Sequence, residues 1–205
     1  VLRSLVSLVV AVALAVWALP WCWWLMRDQW VRHITDCADH WPEDPLGVGC
    51  GVAAGIGLAL WKRPNWFVHT AIHELCHLIM CMVLFVPVNS FRATRGQGGE
   101  VTHLRIDPVR ETLISIAPYV LPLVLVPCLL GLRFTPPGAW HALASGLVGF
   151  AYVHHLHGLY HNVRLNARGS GSDLVKIGRP LSAVLISLAL LLVSAWVISM
   201  LWAGP

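Results

Sequence analysis

The sequence predicts an all-α polytopic membrane protein of about six transmembrane helices, with a short extended, β-like segment after the third. Three observations carry that prediction: scarce charge, apolar runs of spanning length, and tryptophans where those runs end. Charged types make up 12% of the 205 residues and hydrophobic types 57%, with a mean hydropathy of +0.69. A soluble domain carries about 25% charged residues, so half the expected charge is missing and too little polar surface remains to keep the chain in water. Of the 11 tryptophans, Trp21, Trp23, Trp24, Trp30, Trp61, Trp66, Trp140 and Trp202 lie near apolar-polar boundaries, where indole rings settle at a membrane interface.

A spanning helix needs about 20 mostly apolar residues. The runs that qualify, in order, are Leu5 to Met26, Leu46 to Trp61, Trp66 to Val88, Thr112 to Phe134, Ala139 to Tyr160 and Leu181 to Trp202. The first exceeds the usual 7–15-residue apolar core of a signal peptide and has no small-residue cleavage site near Trp21, Trp23 and Trp24, so it reads as a helix. The second is short, and its Gly51, Gly55 and Gly57 suit close helix approach; a re-entrant segment is the other reading. The loops at 27–45, 89–111 and 162–180 hold ten of the 14 basic residues (Arg27, Arg32, Arg92, Arg95, Arg105, Arg110, Arg164, Arg168, Lys176, Arg179). Arg3, Lys62, Arg63 and Arg133 fall on the other side. The positive-inside rule puts the first set in the cytoplasm. Membrane-flanking arginines account for the net charge of +4, and no nucleic-acid surface is needed. The six cysteines form no C-x-x-C pair and read as small apolar residues. With no repeat or linker, residues 1–205 form a single membrane-embedded domain, expected as a multi-pass protein of a plasma (inner) membrane. No motif speaks to oligomeric state.

The chemistry-bearing motif is His73-Glu74-Leu75-Cys76-His77, inside the third run. Four residues along a helix return to nearly the same face, so His73 and His77 can offer imidazole nitrogens to one Zn2+ while Glu74 lies beside them as general base. At this composition a chance match is expected about 0.01 times, and ionisable residues within a span mark function. His69, one turn earlier, cannot reach the same ion, because eight residues rise about 12 Å. A catalytic zinc takes a third protein ligand. Asp173, in the Gly/Ser stretch Asn166 to Leu174, is the leading candidate, although it also reads as a helix N-cap. His157 and His161, four apart in the cluster from His154 to His161, are its rivals.

These features resemble the site-2-type intramembrane zinc metalloproteases. The resemblance rests on H-E-x-x-H in an apolar helix, on the glycine-bearing segment Gly96-Gln97-Gly98-Gly99-Glu100-Val101, and on the stretch from Asn162 to Asp173; it is strongest over 66–180. It implies zinc held by His73, His77 and Asp173, Glu74 as catalytic acid/base, extended structure near the active site, and a membrane protein or peptide as substrate. The third segment departs from the family form: Ser172-Asp173-Leu174 stands where Leu-Asp-Gly is usual, and no Pro lies between Asn162 and Asp173. Two other classes stay open, a membrane metal transporter suggested by the 11 His and a catalytically silent scaffold derived from such a protease. Glu74 argues against silence, because histidines alone suffice to bind metal.

Overall fold

A computed structural model describes residues 2–36, 45–61, 65–94, 98–167 and 172–202. Cys37, Gly96, Gln97, Gly169, Gly171 and the basic Lys62, Arg63, Arg95 and Arg168 lie outside the described residues. The elements run α1 (Leu2–Asp36), α2 (Pro45–Trp61), α3 (Trp66–Val83), β1 (Val88–Ala93), β2 (Gly99–His103), α4 (Pro108–Val120), α5 (Leu125–Arg133), α6 (Ala139–Asn166), α7 (Asp173–Ile177) and α8 (Arg179–Trp202).

Among the described residues, three helices are by length and composition able to cross a membrane, within Leu5–Asp28, Trp66–Val83 and Arg179–Leu201; the bent pair α4 and α5, taken as one span, makes four. Only 11% of the first and last spans is buried inside the protein, and Trp17, Trp21 and Val16 stand open. Apolar surface on that scale suits lipid rather than water. The other two expected spans are helices that fall short as spans. α2 has 17 residues, and α6, with 28, is unbroken but carries His154, His155, His157 and His161 among its apolar residues. The expected run Thr112 to Phe134 is broken: Leu121 is extended (φ −86°, ψ 113°), as the residue before a proline tends to be, and α5 starts only at Leu125.

The third run also ends early, for a local reason. Asn65 caps α3 by accepting from the Phe67 and Val68 amides. At the other end, the amide of Val86 donates to the Cys81 carbonyl at 2.8 Å and that of Phe85 to Met82 at 3.2 Å, with Phe85 left-handed at φ 54°. This is a Schellman stop, with Val86 packed on buried Cys81. It turns the chain into β1, which pairs antiparallel with β2 in the register Phe91↔Val101 and Ala93↔Gly99. An extended segment after the H-E-x-x-H helix is therefore present.

The chain divides into two compact units. The first comprises 1–11, 63–121 and 158–186. Its core joins Ile116, Tyr119, Leu174 and Ile177, with a second cluster of Cys81, Val86 and Ile114 beneath the hairpin. The second comprises 12–62, 122–157 and 187–205 and is centred on Leu125, Leu129, Leu132, Val148, Ala151, Val193 and Val197. There α2 meets α6 through glycine. A Cβ at Gly47, Gly51 or Gly55 would collide with Ala142, Gly146 or Val153 respectively, whereas Gly57 faces open space. Steps of four place the three on one stripe, a close approach in which dispersion between backbones does the packing. Gly47, rather than the expected Gly57, completes it.

Candidate metal centre

The centre lies wholly in the first unit. α3 projects His73 and His77 from adjacent turns, their rings 5.0 Å apart between centroids. α7 brings the third group. Asp173 Oδ2 lies 3.5 Å from His73 Nε2 and 3.4 Å from His77 Nε2. Two donors each about 2.0–2.2 Å from an ion at tetrahedral angles are about 3.3–3.5 Å apart, so these separations are those of a tetrahedral edge. One ligand atom from each of the three residues falls within 4.8 Å of the others, a group that could hold a metal ion.

Asp173 is not the N-cap of its helix. Ser172 occupies that position and sends its hydroxyl to the Asn166 carbonyl at 2.6 Å, leaving Asp173 in the first turn facing the histidines. Its oxygens divide the work, Oδ2 toward the rings and Oδ1 toward Lys176 Nζ at 3.7 Å. Burial works to raise the Asp173 pKa. Hydrogen bonds from the His73 and His77 rings, and the charge that would come with a second ring proton, outweigh it and hold the carboxyl well below the usual range. The α7 platform is itself fixed: Ser182 Oγ donates to the Leu174 carbonyl, Ser7 Oγ to that of Ile177, and Gly178 turns the chain at φ 104°.

The donor set asks for a proton or a metal ion between its members. His77 Nδ1 is 2.7 Å from the Ile114 carbonyl oxygen, which only accepts, so Nδ1 carries a proton. In the neutral ring Nε2 is then a lone pair, facing a carboxylate oxygen. Lone pair against anion is repulsive unless a second ring proton or a metal ion sits between them. His73 presents its Nε2 to the same oxygen while its Nδ1 lies 3.1 Å from Asn162 Oδ1.

Glu74 is 5% exposed and lines, with the three donors, a cavity of about 380 Å³. β2 closes over it: a Cβ at Gly99 would meet the Glu74 carboxylate carbon and Oε1, both at 2.6 Å. His69 lies elsewhere on the cavity wall, edge-on to Trp66 and His161 at 5.9 and 6.1 Å. His161 thus joins His69 and Trp66 rather than the donor group, and His157 is not in that group either. Of the rivals for third ligand, the structure brings Asp173 to the pair. Sequence reasoning missed the Ile114 carbonyl and Tyr119, whose ring stands edge-on to His73 at 5.7 Å, and it treated Asn162 only as the start of a motif. No family model, curated protein or solved structure matches the chain.

Proposed function

We propose that the chain is an intramembrane zinc metalloendopeptidase of the site-2 type, a multi-pass protein of a plasma (inner) membrane that hydrolyses peptide bonds of membrane-associated substrates. One observation carries this reading. A His-His-Asp donor group and a buried glutamate share one cavity, and His73, Glu74 and His77 stand midway along an apolar helix, where ionisable groups are too costly to be incidental. When bound, zinc supplies Lewis acidity that makes water nucleophilic near neutral pH. His73, His77 and Asp173 would hold it. Glu74, one residue from a ligand and closely overlain by Gly99, takes the proton of the attacking water and passes it to the leaving amide nitrogen. A substrate helix satisfies its own amides and must unwind before attack. The exposed hairpin beside Glu74 offers backbone for the unwound strand to pair with.

The test is metal analysis of the purified chain together with cleavage of a membrane peptide. About one zinc per chain is expected, most of it lost in His77→Ala, while Glu74→Gln keeps zinc and loses cleavage by orders of magnitude. Unchanged zinc in His77→Ala would remove the ligand assignment. Undiminished cleavage by Glu74→Gln would place the chemistry elsewhere, and a wild type that binds zinc without cleaving would favour the transporter or scaffold.

A further inference from the structure

Pro118, inside α4, and Pro122, two residues past its end, stand four residues apart in Ile114-Ser115-Ile116-Ala117-Pro118-Tyr119-Val120-Leu121-Pro122. In a helix each carbonyl accepts from the amide four residues on, and proline has no N–H. Pro118 therefore leaves the Ile114 carbonyl without its helical donor, and Pro122 does the same to the carbonyl of Pro118. Between them the ladder is intact, with Leu121 N–H reaching Ala117 at 2.9 Å. Buried carbonyls seldom go unpaired. Both of these are taken up at the metal centre, the first by His77 Nδ1 at 2.7 Å and the second by Asn162 Nδ2 at 3.3 Å.

The second contact sets the direction of a relay. Asn162 is 7% exposed, and its amide has two possible orientations. With Nδ2 on the Pro118 carbonyl, Oδ1 faces His73 Nδ1 at 3.1 Å and can only accept, so that ring too carries its proton on Nδ1. The flipped amide would set oxygen against the carbonyl oxygen and offer His73 a donor, moving the ring proton to Nε2, where it would block a metal. We infer that Pro118, Pro122 and Asn162 are positioning residues: the two carbonyls freed by the proline pair fix both histidines as Nδ1–H tautomers, His77 directly and His73 through Asn162, leaving both Nε2 atoms as metal donors. Partners of this kind typically change metal affinity 10–100-fold when removed.

The inference rests on the metal-site reading, and the experiment separates the two. Zinc affinity of the full chain in detergent is measured for wild type, Pro118→Ala, Asn162→Leu and Asn162→Asp, alongside thermal midpoints of the metal-free proteins. Pro118→Ala returns an N–H that competes for the Ile114 carbonyl, so zinc should bind at least tenfold more weakly while the metal-free protein is equally or more stable. A merely structural proline would not move the two in opposite directions. Asn162→Leu should weaken zinc 10–100-fold, and Asn162→Asp, which still accepts from Nδ1 although its second oxygen faces the Pro118 carbonyl, should recover part of it. Wild-type affinity in both Pro118→Ala and Asn162→Leu would overturn the inference. Nitrogen NMR of the metal-free wild type decides it even if zinc does not bind: protons on Nδ1 of His73 and His77 are expected, and a bare Nδ1 on either ring refutes it.

Discussion

Gly99 shows how tightly the proposed chemistry is held at the scale of single residues. Its missing side chain is what lets β2 cover Glu74, since a methyl group there would overlap the carboxylate. Glu74 lines the cavity, so the added methyl would push its carboxylate away from the position it now holds. Gly99→Ala should therefore retain zinc, because none of the three donors is touched, yet cleave a membrane peptide at least tenfold more slowly, a displacement of about 1 Å sufficing for such losses. Wild-type turnover in that variant would mean that Glu74 does not act where it lies. His73, Glu74 and His77 were legible in the sequence because helical periodicity alone puts them together. The partners of the two rings were not, for they lie 89 and 37 residues away and one of them is a main-chain carbonyl with no side-chain signature.

The elements were legible where composition sets their limits and misjudged where a turn does. α3 was expected to run to Val88, since Leu84-Phe85-Val86 is apolar and carries neither Gly nor Asn. It stops at Val83 because Phe85 takes the left-handed conformation that usually calls for glycine. That conformation costs a residue with a Cβ about 1–2 kcal/mol, and Phe85, at 91% exposed, gains little packing within the protein in return. Phe85→Gly should keep the hairpin and raise the thermal midpoint, with a gain of up to about 1 kcal/mol once the extra freedom of glycine in the unfolded chain is set against it. A clear loss of stability would show that the phenylalanine ring anchors the turn, for instance in lipid. The fourth run has spanning length in apolar residues but breaks at Leu121, where Pro118 and Pro122 withhold amides from the helical ladder.

At the scale of the whole molecule, mean hydropathy and run lengths pointed to a helical membrane protein, and the helices are there. The number of spans was less legible, because a count of apolar residues does not register a break at Leu121 or the polar load of the α6 histidines. That Asp173 reaches the pair was readable only as a candidate: it depends on α7, a five-residue helix held by Ser7 and Ser182, too short for periodicity to reveal. Since binding to the folded state alone stabilises by mass action, zinc at 100-fold above its dissociation constant should add about 2.7 kcal/mol. Heating the protein with zinc and with a chelator should separate the midpoints by several degrees. His77→Ala should show no such difference, and a wild type indifferent to both additives would deny the folded state a metal site.

Measured along the chain, His77 and Asp173 are 96 residues apart (173 − 77). A metal ion joining them would act as a reversible cross-link around that loop, with the topology of a disulfide but subject to chelation rather than reduction. Unlike a disulfide, it would leave as the chain unfolds, so its contribution to stability is the binding term alone, with the closure of the loop already counted within it. The ion would then do double duty, as reagent and as rivet, and the chain that had lost it would forfeit a catalyst and a tether together.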